Sequence, residues 1–595
     1  MRFTMNFIKE NKLAILTAIF VGLVYVAPNI IFILSLGNGY RGIPIMQTSN
    51  EDFYLARIQE ILDGHPSLGS PAFFEYKNQM PLSPPVGEFL YALPGLIFGV
   101  LPVFTLIASR FFLPALLFLL IYYLIRQLTG NDNIFANKIN AVAGALFVTL
   151  GYDMVDYRTF FNYLKGISAP GNFLIWTRPV NPILGAVFLF SFLLCVWQIV
   201  QKNKKVKTFI FFASLFLALM MASYFFSWSI AVSIIGILIL IYLLLKEFRT
   251  AVNLFFIVLF GFLFAAPYWY VTWRASQSLW YQESVLRSGI FYTRYPLLNK
   301  FLLATLAFYV FLLAFDFFWN KKNQIAYRFH HWHWFCLAFI LGGLWAYSQQ
   351  IVTGRTVWPY HFVQYSIPLA IIVVMTLLFN VRKSISYSWH VFIILIILVS
   401  LSLGIYVQAS TYRQFYSYYA GLQSQATLFD WLNQRDKDCV VLIANEPADS
   451  YILNGLILSF TRCNTYDSNW VFSLMPDDRI LHNYLAHLFF NGVTPETIQD
   501  YLKNHSPRSY LFSNWKGLYG SPDFPDFRDP KLEKRIRELP ENYGEFIKKD
   551  IREELGKYRL DYILSFGELE SNLVQSMKLS KIYAANGIII YSFIK

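Results

Sequence analysis

Two acidic groups stand beside long apolar stretches: Glu51-Asp52, and Asp153 with Asp156. A carboxylate at a membrane surface can accept a proton from an attacking hydroxyl as a general base. Several together can hold a hard divalent cation, which wants more oxygens than one acidic pair supplies. Acids drawn from both groups would meet that need; Glu51 and Asp52 alternatively complement the dipole of a helix that they open. Cations sit in the same parts of the chain. Arg110 lies inside the apolar run Leu101–Leu113, where a charge is either functional or snorkels to headgroups. Arg355 and His361, in the segment Gln349–His361, can hold a phosphate or a leaving-group oxygen, or serve as interfacial residues. Glu283, Arg287 and Arg294 make a further charged group.

The elements that must position these residues are mostly dissolved in lipid. Of 595 residues, 56% are hydrophobic, 19% aromatic and only 14% charged, with mean hydropathy +0.43; soluble domains are about a quarter charged. Disorder, collagen and a disulfide scaffold are excluded. A bilayer core of about 30 Å needs roughly twenty apolar residues as a helix. Eleven stretches approach that length, at about 13–35, 104–126, 138–152, 180–200, 208–226, 228–246, 251–271, 301–319, 332–349, 362–380 and 389–408. The third is short. Lysines and arginines cluster at residues 2–12, 126–138, 202–207, 246–249, 321–328 and 382–383. Basic connections are cytoplasmic, and all six fall on one side if the N-terminus is cytoplasmic and the chain beyond 408 is outside. The net charge of +13 is then largely topology, and no nucleic-acid partner is expected.

The apolar stretch 86–102 carries Pro84, Pro85, Pro94 and Pro102 close by or within it. Counting it as a crossing would turn every later basic loop outward, so it is expected at, or dipping into, the outer surface. The first span has a basic flank but no convincing cleavage site, and is read as a retained anchor. Three segments on the outer side are long, 36–103, 153–179 and 272–300, and long loops on a rigid scaffold are where chemistry is placed. Within the first, residues 51–62 repeat their apolar positions at helical spacing and stop at Gly64-Pro66.

Residues 409–595 leave the membrane pattern. A helix at 426–432 precedes apolar runs at 439–444, 509–512, 560–564 and 587–591, which between helices indicate an α/β domain. No nucleotide-binding glycine motif follows the first run. The domain's expected role is acceptor contact or scaffold. Cys439 and Cys463 either pair or are buried separately. His330, His331 and His333 lie beside Trp332 and Trp334, a pattern of an interfacial aromatic belt more than of a metal site.

This layout, an anchor helix, an acidic first outer loop leading a helix, a second acidic outer loop and an outer C-terminal domain, resembles the GT-C superfamily of membrane glycosyltransferases. Relatives include oligosaccharyltransferase catalytic subunits, protein O-mannosyltransferases and aminoarabinose transferases. The resemblance implies a multi-pass protein of the cell membrane that moves a sugar from a polyprenyl-phosphate donor to a glycan, lipid or protein acceptor, with inversion. It implies Asp52, or second Glu51, as the catalytic acid. Asp52 with Asp156 or Asp153 would form a metal site for Mg or Mn, if a cation is used. Arg110 would take the donor phosphate, in a set with Arg57, Arg355 and His361. Glu51-Asp52 departs from the D-x-D spacing of many oligosaccharyltransferases, and no W-W-D-type acceptor motif stands in the C-terminal half. Transfer of an oligosaccharide to asparagine is therefore the less favoured subtype. The rival expectations are a flippase of lipid-linked intermediates, which would need a path of charges across the spans, and a non-catalytic assembly subunit.

Overall fold

The computed structural model describes residues 10–48, 50–130, 135–155, 165, 173–324, 328–381, 386–435, 437–446, 452–505, 507, 511 and 530–594. Each of the eleven expected stretches coincides with a helix, yet they are unequal. Among the described residues seven helices are long and apolar enough to cross a membrane, and an eighth span is made if Phe248–Phe264 and Ala266–Ser276, bent by 55° at their junction, count as one. Phe135–Thr149, Val206–Met221 and His331–Tyr347 are shorter. At 1.5 Å per residue, fifteen residues reach only about 22 Å, so the expected count of eleven full spans is not met by length. The bundle is nonetheless multi-pass. Its outward side chains, such as Leu16, Leu34, Phe112 and Phe318, are large, apolar and exposed, which suits lipid and not water.

Val86–Phe98 is a separate helix of 13 residues. Its face Gly87, Glu88, Tyr91 and Ala92 is buried, while Leu96, Ile97 and Phe98 point outward. It is too short to cross a membrane as a helix, and its outward end is apolar. The final helix, Ser386–Leu422, continues 37 residues, about 55 Å at the helical rise. The expected junction at 408/409 therefore falls inside a helix, which carries the chain from the bundle into the C-terminal part.

That part holds a five-stranded sheet of β1 (Val440–Ala444), β2 (Asn464–Thr465), β3 (Tyr562–Phe566), β4 (Leu579–Ala585) and β5 (Ile588–Phe593), ordered β2-β1-β3-β5-β4. β1 pairs in parallel with β2 and with β3. β5 runs antiparallel to β3 and to β4. The run Val-Val-Leu-Ile-Ala of β1 is buried at every position, as an unbroken apolar run in a central parallel strand should be. Of the expected run 509–512, only Leu511 is among the described residues, and it is helical. β4 went unforeseen, although its signal was present. Asn586 and Gly587 both take positive φ between β4 and β5, the two-residue hairpin turn that Asn-Gly favours. Cys439 and Cys463 are joined as a disulfide, which decides between the two possibilities left open for them.

The loop helix Glu51–Leu62 is enclosed between the bundle and this domain. Tyr54, Ile58 and Ile61 share a core with the spans, while Ala56 packs with the C-terminal domain. Leu55 joins a cluster that unites Phe32, Val103, Leu428, Val441 and Leu456. The first loop, the end of the first span and the α/β domain thus meet at one end of the bundle.

Candidate active site

The two acids that open the loop helix have different surroundings. Glu51 is fully buried. Its carboxylate accepts from the backbone amides of Gln47 (2.9 Å) and Thr48 (2.7 Å) and pairs with Arg110. Arg110, equally buried, also donates to the Asn29 side chain and to the Ile45 carbonyl (3.2 Å). A charge in a low-dielectric interior persists only when paired and hydrogen-bonded. Each of these residues supplies what the other needs. Glu51, the second choice for the catalytic acid, and Arg110 as a phosphate ligand therefore find their charge already taken within the protein.

Asp52, one residue on, turns towards the C-terminal domain. One carboxylate oxygen accepts the Phe53 amide at 2.9 Å, and Ser459 donates to the Asp52 backbone carbonyl at 2.9 Å. The other oxygen lies against Gly455 of helix Ile452–Phe460. Among the described residues Asp52 has no cationic partner. Burial pushes its carboxyl up to about 6, with the neighbouring Glu51 charge adding to the effect against the Phe53 hydrogen bond.

A second constellation gathers around Tyr54. The Arg178 guanidinium lies 5.6 Å from the Tyr54 ring centroid and interacts electrostatically with that residue. Arg57 pairs with Glu88 at 2.7 Å, both buried, and this pair also acts on Tyr54. The Tyr224 hydroxyl meets His361 Nδ1 at 2.7 Å and Gln364 at 3.2 Å. Arg178 interacts electrostatically with Tyr224 and Tyr360, and acts on His361. Its Nε is buried without a hydrogen-bond partner, and among the described residues it has no carboxylate partner. Of the four residues expected at a phosphate, the structure brings Arg57 and His361 to this group. Arg110 lies with Glu51, and Arg355 lies elsewhere, its guanidinium 2.8 Å from the Tyr292 hydroxyl.

Arg178, Tyr54 and Tyr224 were missed in the sequence. Arg178 ends the second long loop, whose acids had drawn attention to its beginning; a cation just before Pro179 at the mouth of a span was the available signal.

The expected metal site does not assemble among the described residues. Asp153 is half-buried, with one oxygen lacking a hydrogen-bond partner, and burial pushes it up to about 7. No group of three or more His, Cys, Asp or Glu side chains that could hold a metal forms among the described residues. Asp156 lies outside them. The three histidines serve locally as well, His333 bonding the His330 backbone at a helix start and His331 meeting the Tyr242 hydroxyl at 3.0 Å.

No known family profile and no curated protein matches the chain. Among solved structures, the chain is similar to ArnT from Cupriavidus metallidurans bound to undecaprenyl phosphate, at 10% identity and TM-score 0.43, over 99% of this chain and 98% of that one. It is also similar to the oligosaccharyltransferase AglB from Archaeoglobus fulgidus in complex with an inhibitory peptide and a dolichol-phosphate. That likeness is at 13% identity and TM-score 0.45, over 98% of this chain and 74% of the other. The apo form of the Archaeoglobus fulgidus oligosaccharyltransferase gives 12% identity and TM-score 0.45, over 93% and 69%.

Proposed function

We propose that the chain is a GT-C-type membrane glycosyltransferase that moves a sugar from a polyprenyl-phosphate donor to a glycan, lipid or protein acceptor by a single inverting displacement. The observation that carries this reading is Arg178. It is a cation without a carboxylate partner among the described residues, flanked by Tyr54, Tyr224, Tyr360 and His361 at the end of a lipid-embedded bundle. A guanidinium with phenolic donors around it suits a phosphate, and a lipid-borne phosphate is presented at that depth.

In this reading the acceptor hydroxyl attacks the anomeric carbon and gives its proton to Asp52. The bond from that carbon to the phosphate oxygen breaks, and the lipid phosphate leaves with the electron pair towards Arg178 and the Tyr54 hydroxyl. A carboxyl near 6 is mostly ionised at neutral pH and still basic enough to take a proton in the transition state. Fixed donors aimed at the departing oxygen stabilise the charge that develops there. Arg57, neutralised by Glu88, acts on Tyr54 electrostatically. The basic connections support an N-terminus in the cytoplasm and a C-terminal domain outside. The disulfide supports the same orientation, since such bonds persist in oxidising compartments.

The test is transfer from a panel of labelled polyprenyl-phosphate sugars by the purified protein in lipid, comparing wild type with Asp52→Asn and Arg178→Gln. Turnover lost in the first variant with donor binding kept, and donor binding lost in the second, is the expected pattern. Donor binding without turnover in the wild type would favour a flippase or an assembly subunit instead.

A further inference from the structure

Away from Tyr54, a cavity of about 230 Å³ opens between the segment Tyr281–Tyr292 and the C-terminal domain. Among the described residues its charged lining is Arg287, Arg355, Lys531 and Arg535 together with Glu283 and Asp477. The negative partners are shared out unequally. Asp477 pairs with both Arg287 and Arg535. Arg287 is further held by the backbone carbonyls of Val471 (2.7 Å), Ser473 (3.0 Å) and Met475 (3.0 Å), so it is fixed in place. Among the described residues Arg355 has no carboxylate partner; it donates to Tyr292 and lies 5.0 Å from that ring's centroid.

Resting on the transferase reading above, we propose that this cavity seats an anionic group of the acceptor, a phosphate or a carboxylate. Its position suits that task. Phe53, between Asp52 and Tyr54, rests on Trp470 and Phe472 at 5.3 and 4.7 Å between ring centroids, and the carbonyl of the intervening Val471 holds Arg287. One short segment therefore separates the proposed base from the basic cavity. On the other side, Trp358 Nε1 donates to the Ser288 carbonyl at 2.8 Å, tying the cavity rim to the turn that carries His361. An acceptor anchored by its charge in the cavity would have a neighbouring hydroxyl to present towards Asp52. The volume is smaller than a drug-sized pocket of about 300–1,000 Å³, so it accommodates a head group and not a whole glycan.

The test is calorimetric binding of glucose 1-phosphate, glucuronate and glucose to the full-length protein in neutral-lipid nanodiscs, for wild type, Arg355→Gln and Glu283→Gln. Binding of one or both charged sugars, and not of glucose, identifies the anion and which acidic group is preferred. Removing the Arg355 charge should weaken that binding by about tenfold or more, and removing the opposing Glu283 charge should tighten it several-fold, as expected of charge-assisted contacts. Opposite shifts in two variants of unchanged thermal stability would not follow from a general structural defect. Equal binding of glucose, or the same affinity in all three proteins, overturns the cavity site and leaves the transferase reading standing. Opposite shifts in a protein that transfers no sugar would keep the anion site and overturn its role in holding an acceptor.

Discussion

Gly455 and Asp52 touch so closely that a Cβ added at position 455 would lie 2.2 Å from an Asp52 carboxylate oxygen, and the carboxylate would have to shift. The contact makes the C-terminal domain part of the wall around the proposed base. Gly455→Ala should strengthen helix Ile452–Phe460 in isolation, because alanine is the better helix former, yet displace the carboxylate. Turnover should fall by about 10- to 100-fold, the usual effect of a small misplacement at the reacting centre, while donor affinity holds. Steady-state transfer with a parallel donor-binding measurement checks this. Wild-type turnover in a stable Gly455→Ala protein would mean that the position of Asp52 is not critical, and would count against it as the base.

The raised carboxyl of Asp52 sets a pH dependence for both activity and stability. Its folded value of about 6 lies above the ordinary aspartate value, so the folded state holds the proton more tightly than the unfolded chain. The stabilisation from that proton is complete below the unfolded value, near 4, and is lost as pH rises through 6. Activity should move the other way, rising with an apparent value near 6 as the base ionises. Asp52→Asn should therefore abolish transfer and, at pH 7.5, stabilise the protein by at most about 3 kcal/mol, two units at 1.36 kcal/mol each. Near pH 4 the two proteins should melt together. A thermal-unfolding series across pH decides, and an asparagine variant less stable at pH 7.5 would sink the assignment of a desolvated charge.

Glu51 and Arg110 should behave as one unit of structure. Removing a single partner of a buried ion pair leaves an uncompensated charge and costs about 3–5 kcal/mol, whereas apolar replacement of both is often tolerated. Arg110→Met and Glu51→Leu should each lower thermal stability sharply, and the double variant should recover most of the loss. A donor-phosphate ligand predicts another result: Arg110→Met stable, with donor affinity reduced. Unfolding temperatures of the three variants beside donor binding separate the two.

What the sequence showed plainly was what the membrane and the helix period impose. Long apolar runs, basic connections and the 51–62 spacing are properties of neighbouring residues, so the bundle, the loop helix and the alternating character of the last domain could be read in one dimension. Pairing across the chain could not. Nothing in the run Leu101–Leu113 says that Arg110 meets an acid 59 positions earlier, so a deep arginine looked available for phosphate. Tyr54 carried no signal of its own, being one aromatic among many in a chain that is 19% aromatic. Its importance comes from the residues that other segments bring to it. Short helices were likewise overcounted, because an apolar stretch such as 138–152 merges in sequence with the polar turn that ends it, while the helix itself stops at Thr149.

Arg178 is where the proposed function is most exposed to a direct result. Its Nε is buried without a partner, and the residues that interact with it are phenols and an imidazole. Taking the charge away removes no ion pair among the described residues, so Arg178→Gln should leave thermal stability close to wild type. It should weaken a polyprenyl-phosphate donor by about 10- to 100-fold, the equivalent of about 1.5–3 kcal/mol for hydrogen bonds to a charged group. Arg178→Lys should recover only part of that affinity, since an ammonium keeps the charge but loses the planar fork that meets two phosphate oxygens at once. Donor titrations of the three proteins at two salt concentrations supply the check. Undiminished binding in Arg178→Gln would place the phosphate elsewhere and remove the observation on which the transferase reading stands.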